Sequence, residues 1–269
     1  MQKENGPIEY QSPQVIILAA GKGTRMNMDL PKVMVPVADR PMICWVVDAC
    51  LSAGVKRCII VVGYKGDMIR AIFADQPRCY FVEQPEQLGT GHAALMAQSH
   101  FDLQHPVDVF VLAGDGPLVR AKTLKRLLEM HRRSQATATI ATAVLDNPEG
   151  YGRITRYDNG SFDAIVEQKD ATPAQLEIKE INPSYYCFRS DRLFEALERV
   201  GNNNCKGEYY VTDTPKILRE DGRVVTVVSA VPPEDVHGIN TPQQLAHVDK
   251  IQRRRYGIEP MQPVNSGSL

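Results

Sequence analysis

Three short segments carry residues whose types and spacing suit phosphate and metal chemistry. The first is Leu18-Ala19-Ala20-Gly21-Lys22-Gly23-Thr24-Arg25-Met26, with Pro31-Lys32 just beyond it. Small residues let backbone N–H groups approach a phosphate closely, and Arg25 and Lys32 add two cations. The segment has no G-x-x-x-x-G-K-[ST] pattern, and Met26 takes the third glycine position of the G-x-G-x-x-G dinucleotide fingerprint. A bare glycine-rich turn reads first as a tight strand–helix junction with surface cations. The two cations, Thr24 and the proline shift the reading towards phosphate binding.

The second segment is Glu86-Gln87-Leu88-Gly89-Thr90-Gly91-His92-Ala93, preceded by Gln84. Gln84 and Gln87 offer paired amide donors and acceptors suited to a nucleobase edge. The plainer alternative is a capped helix start with polar surface residues. The third is Ala113-Gly114-Asp115-Gly116-Pro117-Leu118, at the end of the apolar run Val107 to Leu112. A single carboxylate there, flanked by glycines, is placed to hold a hard divalent cation near a ligand. Alone, an Asp capping a turn is the commoner case. No Ser-His-Asp or Cys-His arrangement calls for a covalent nucleophile.

These segments need strand ends to present them. Val15 to Ala20 is a continuous apolar run ending in glycine, as in a strand buried on both faces of a parallel sheet. Cys58 to Val62, Cys79 to Val82, Val107 to Ala113 and Ala136 to Leu145 repeat the pattern. Helical patterns lie between them at Pro41–Ala53, Asp67–Phe73, Gly91–Ser99 and Ala121–Arg133, which indicates βαβ units. After residue 145 the pattern changes. Arg153–Tyr157 and Ser161–Glu167 flank Asp158-Asn159-Gly160 and predict a β-hairpin. An extended stretch at Tyr185–Phe188, a helix at Glu208–Arg219, a strand at Val224–Val228 and a helix at Pro242–Arg254 follow. The expected fold class is α/β: a mostly parallel central sheet with helices on both faces and an antiparallel insertion and cap. No linker interrupts residues 14–254, so residues 14–256 read as one domain between flexible polar ends at 1–13 and 257–269.

Composition narrows the class. The 269 residues are 43% hydrophobic and 23% charged, with a formal net charge of -1. That is ordinary globular composition. It gives no electrostatic footprint for a general nucleic-acid binder. Apolar runs are strand-length, and residues 1–13 hold no secretory h-region, so neither a membrane span nor a signal peptide is expected. The six cysteines form no C-x-x-C or zinc spacing and read as buried thiols in a reducing cytoplasm.

The first segment resembles the signature of nucleoside-triphosphate sugar-1-phosphate nucleotidyltransferases. With the second, it most resembles the uridyltransferase domain of the bacterial bifunctional N-acetylglucosamine-1-phosphate uridyltransferase/glucosamine-1-phosphate acetyltransferase family. The likeness covers about residues 14–250. It implies a Rossmann-like nucleotidyltransferase domain with an antiparallel sugar-binding insertion, acting in UDP-N-acetylglucosamine and peptidoglycan precursor synthesis. The implied reaction is Mg²⁺-dependent uridylyl transfer from UTP to N-acetylglucosamine 1-phosphate. By this resemblance Leu18, Ala19, Ala20, Gly21 and Gly23 wrap phosphates, while Arg25 and Lys32 neutralise triphosphate charge. Gln84, Gln87, Gly89 and Thr90 surround uracil, and Ala113 and Gly114 border the nucleotide. Asp115 and Asn240 hold the Mg²⁺. Gly152, Glu167 and Asn182 meet the sugar, Lys169 lies close to Glu167, and Gly207–Asp213 borders the sugar pocket.

Three departures stand out. Ala113 replaces a frequent Tyr, and Pro183-Ser184 replaces Thr-Gly after Asn182, which implies a reshaped sugar pocket. No hexapeptide repeat follows residue 254, so acetyl transfer is not expected of these residues. Alternatives are the same chemistry on another hexose 1-phosphate (UTP or dTTP with glucose 1-phosphate) and a non-catalytic sugar-nucleotide-binding regulator. Retention of Arg25, Lys32, Asp115, Glu167 and Asn240 disfavours the regulator. The expected partners are small molecules, not nucleic acid or membrane, and the expected state is a monomer or weak homo-oligomer.

Overall fold

Gln14–Ala19 forms the first strand, β1, because its apolar residues serve two cores at once. Val15, Ile17 and Ala19 enter one hydrophobic cluster and Ile16 the other. The computed structural model describes residues 11–22, 29–239 and 241–259. After a 3-10 turn at Lys32–Met34 comes a small antiparallel ribbon, β2 (Pro36–Val37) and β3 (Arg40–Pro41). Then follow α1 (Met42–Ser52), β4 (Arg57–Val62), α2 (Gly66–Ile72), β5 (Cys79–Glu83), α3 (Thr90–Met96), β6 (Asp108–Ala113), α4 (Ala121–Arg133) and β7 (Ala138–Val144). The later half contains β8 (Gly152–Arg156), β9 (Phe162–Val166), α5 (Pro173–Leu176), β10 (Glu180–Arg189), α6 (Ser190–Leu197), α7 (Thr214–Glu220), β11 (Val225–Ser229) and α8 (Pro242–Tyr256).

Among the described residues, nine strands join one sheet, whose main path runs β11-β7-β10-β6-β1-β4-β5. β1 pairs in parallel with β4 and β6, β4 with β5, and β11 with β7. β10 lies between β6 and β7 and is antiparallel to both. The β8–β9 hairpin hangs from β10 through Asn182 opposite Gly152. Buried side chains of α1, α2 and α4 cover one face of the sheet, and those of α3, α6 and α7 the other. The expected α/β class with helices on both faces is therefore present.

Two local expectations are corrected, and one element is new. The extended stretch predicted at Tyr185–Phe188 is a ten-residue strand at the middle of the sheet, not part of a peripheral cap. Its side chains Ile181, Tyr185, Tyr186, Cys187 and Phe188 are buried because neighbouring strands flank it on both sides. The helix expected over Glu208–Arg219 starts only at Thr214, after a 3-10 turn at Val211–Asp213. Residues 209–210 stay extended because Tyr209 exchanges backbone bonds with Leu88 and Gly91. The β2–β3 ribbon had no sequence signal; it turns through Ala38 and Asp39, both with positive φ. Against that ribbon and Trp45, α8 packs Val248 and Ile251.

The cysteines are free thiols; Cys44, Cys50, Cys58 and Cys187 are buried, Cys79 is half-buried and Cys205 exposed. Burial pushes the thiols of Cys44, Cys50 and Cys187 up, which keeps them protonated and unreactive. Among the described residues no helix is long and apolar enough to cross a membrane.

Candidate active site

Ligands of open α/β sheets bind beyond the carboxyl ends of the strands, and a cavity of about 340 Å³ opens there. One wall is the end of β1, with Leu18, Ala19, Ala20 and Gly21. Gly114 ties the end of β6 to it, its N–H donating to the Leu18 carbonyl at 2.9 Å. A Cβ at Gly114 would stand 3.0 Å from that same oxygen, a tight contact that glycine avoids.

Between those strand ends stands a charged pair. Lys32 Nζ lies 2.5 Å from Asp115 Oδ2, with 19% and 30% of the two side chains exposed. Both line the cavity. A Mg²⁺ ion is usually held by one or two carboxylates plus substrate phosphates and retained waters. Asp115, a carboxylate that lines the cavity beside the β1 end, fits that role. No group of three or more His, Cys, Asp or Glu among the described residues forms a metal cage.

The segment from Gln84 to Thr90 forms the next wall. Gln84 is buried, and its Nε2 donates to the Gly89 carbonyl at 3.1 Å and meets His92 Nδ1 at 3.0 Å. Gln87 Nε2 donates to the Ala20 carbonyl at 3.0 Å, which joins this segment to the β1 loop. The two amides thus brace the walls as well as facing the cavity. Gly89 has φ +115, and a Cβ on it would lie 2.5 Å from the Tyr209 carbonyl oxygen. No other residue type fits where residues 88–91 cross 209–210. Thr90 Oγ1 accepts from Val211 N–H at 3.1 Å across the same crossing.

Glu167, Ser184, Tyr186, Glu208 and Thr212 close the far side. Burial pushes the Glu167 carboxyl above the usual carboxylate range; Thr212 and Lys206 oppose this, and Asp170 and Asp213 add to it. Asp213 is raised as well, first by burial.

The structure brings twelve of the expected residues to this cavity: Leu18, Ala19, Ala20, Gly21, Lys32, Gln84, Gln87, Gly89, Thr90, Ala113, Asp115 and Glu167. Three others stand behind its wall. Gly114 locks strand ends, Gly152 packs under Glu167 and Ile165, and Asn182 spends its amide on Tyr186 and Ser184. Gly23, Arg25 and Asn240 lie outside the described residues. Lys169 is exposed and does not line the cavity. Sequence reasoning missed Val33, Val111, Leu112 and Tyr186 as lining residues, whereas Ala93, Ser184, Glu208, Val211 and Thr212 fall in segments already expected at the pocket. Tyr186 lies in the unbroken apolar run Tyr185–Phe188, which carries no alternation to show which face each side chain takes.

A family model described as a MobA-like NTP transferase domain matches residues 15–215. The chain belongs to this family. As an NTP transferase it has a glycine-rich strand end, a cation–carboxylate pair and a polar far wall around one cavity. It is 44% identical over 246 residues to the bifunctional protein GlmU of Geobacter metallireducens, covering 91% of this chain and 52% of that protein. To the bifunctional protein GlmU of a Geobacillus species it is 45% identical over 240 residues, covering 89% and 52%. The chain thus spans about half the length of the curated relatives it matches. A UDP-glucose pyrophosphorylase solved with UDP-glucose superposes with a TM-score of 0.76 at 18% identity, covering 91% of this chain and 100% of that one. That likeness shows a shared fold. The chain is a nucleotidyltransferase of mixed α/β architecture.

Proposed function

We propose that the chain catalyses Mg²⁺-dependent uridylyl transfer from UTP to N-acetylglucosamine 1-phosphate, releasing pyrophosphate. The observation that carries this reading is the meeting of the β1 end, the Gln84–Thr90 segment, the Lys32–Asp115 pair and Glu167 in one cavity. The uracil preference rests on the resemblance of Glu86–Ala93 to a uridine-binding segment. The resemblance of residues 14–250 to an N-acetylglucosamine-1-phosphate uridyltransferase domain supports the acetamido sugar. The product would serve peptidoglycan synthesis.

In this reading the sugar phosphate oxygen attacks the α-phosphorus of UTP in line, and no bond to the protein forms. The protein supplies positioning and charge, as in other phosphoryl transfers. Asp115 holds the Lys32 ammonium inside the cavity. An entering triphosphate draws that ammonium to itself and frees the carboxylate. Lys32, Arg25 and the loop N–H groups then stabilise charge on the departing pyrophosphate. Asp115 and Asn240 would hold Mg²⁺, which when bound neutralises phosphate charge. Glu167 accepts bonds from sugar hydroxyls, and its neighbours Asp170 and Asp213 favour the donor-rich partner that relieves its burial.

A second reading, the same transfer to glucose 1-phosphate, is favoured by the fold shared with UDP-glucose pyrophosphorylase and by Ala113 and Ser184 in the wall. A pyrophosphate-release assay that crosses UTP, CTP, GTP and dTTP with several sugar 1-phosphates tests both. Absence of release with UTP and N-acetylglucosamine 1-phosphate removes the first reading.

A further inference from the structure

Five described non-glycine residues have positive φ, and Ser184 is the one among them that lines the cavity. Its φ of +65 puts it in the left-handed region, which is unfavourable for any residue with a Cβ. Glycine would hold the same turn without that strain. Strained residues that persist at a cavity wall point to a role in the site.

The turn is built to hold this side chain. The register of β10 against β7 slips between Ile181 and Tyr185, leaving Pro183 and Ser184 in the bulge. Asn182 stitches it, accepting from Ser184 N–H at 3.1 Å and donating to the Tyr186 hydroxyl at 2.6 Å. The Ser184 hydroxyl reaches the same buried phenol. The β6 pairing ends at Tyr185 opposite Leu112, and Ser184 and Ala113, the residues just beyond it on the two strands, both line the cavity. Close by, the Thr212 hydroxyl is buried within reach of Glu167 but has no aligned hydrogen-bond partner. This is the side of the cavity where the β8–β9 hairpin joins the sheet.

We propose that Ser184 is a specificity-determining residue whose hydroxyl binds a hydroxyl of the acceptor sugar on a floor shared with Tyr186 and Thr212. This rests on the sugar 1-phosphate reading above. A site built around such a bond discriminates strongly against partners that leave its polar groups unpaired. Glycine suits φ +65, so S184G folds, while S184A keeps the Cβ and removes only the oxygen.

The test measures steady-state constants for wild type, S184A and S184G, varying the sugar 1-phosphate at fixed UTP and then UTP at fixed sugar phosphate. Both variants are expected to raise the sugar-phosphate KM by about tenfold, as for one lost hydrogen bond. The UTP KM should stay within about twofold, and S184G should melt no lower than wild type. Unchanged sugar-phosphate constants in S184A overturn the assignment, and so does an equal rise in the UTP KM. If wild type turns over no sugar 1-phosphate, the functional reading itself fails and the assignment falls with it.

Discussion

Asp235→Asn should unsettle the catalytic loop from outside the cavity. The Asp235 side chain is 1% exposed, with Oδ2 2.5 Å from Arg120 Nε and Oδ1 2.5 Å from an Arg255 amino group. Arg255 in turn donates to the Leu118 carbonyl at 2.9 Å, and Gln252 to the Pro117 carbonyl at 3.1 Å. These carbonyls follow Asp115 by two and three residues, so α8 grips the loop through a carboxylate that keeps its arginine in place. Removing one partner of a buried ion pair costs about 3–5 kcal/mol. Glu234 still contacts both arginines, and they are 21% and 17% exposed, so the lower end, about 3 kcal/mol, is expected. For a chain of this size that is a fall in Tm of roughly 6–12 °C. The loss should persist in high salt, because a buried cluster is poorly screened. Thermal melts at low and high salt, with Mg²⁺ titrations of activity, measure it. A Tm within about 1 °C of wild type would refute the clamp.

Asp115→Asn should lower kcat by at least about 100-fold at ordinary Mg²⁺, since the cavity offers a single carboxylate at that point; near-normal turnover in a Mg²⁺ titration contradicts this. Lys32→Ala should cost roughly 2–4 kcal/mol of transition-state stabilisation, read as kcat/KM for UTP. Gly89→Ala puts a methyl 2.5 Å from the Tyr209 carbonyl and should cost up to about 3 kcal/mol, with a weakened UTP KM; an unchanged melt and KM would show that the crossing can yield. Glu167 carries a carboxyl raised by burial, so its ionised form destabilises the fold. That penalty is absent below the ordinary carboxylate range and grows as pH rises through the raised value. Glu167→Gln should therefore melt higher than wild type at pH 7–8, with the two converging near pH 4; a pH-independent difference contradicts the burial argument.

The legible parts were those in which one short segment does one job. Leu18–Gly21, Gln84–Thr90 and Ala113–Asp115 each join a strand end to small or polar residues, and all three reach the cavity. The sheet's inner strands were legible for the same reason, as unbroken apolar runs. What escaped depends on pairing between distant residues. Nothing local in Tyr185–Phe188 announces that it will lie between β6 and β7. Ser184 gains its role from a bulge that only the neighbouring strand defines. Glu208–Tyr210 has helical composition, but its backbone is engaged by the Leu88–Gly91 turn. Asn182 has the side chain of a ligand contact and spends it on its own turn.

The placement of β10 sets an order of events during synthesis. β1, β4, β5 and β6 can assemble once residue 113 has left the ribosome. β7 cannot, because both its neighbours, β10 and β11, come later in the chain. Its run Ala138–Val144 waits with two bare edges until residue 180 appears, roughly 2–7 s at ordinary translation rates. During that interval the nascent chain offers an apolar strand to any other strand nearby. A chaperone that shields residues 138–144 would therefore act on this protein early, before the sugar-side half of its cavity exists.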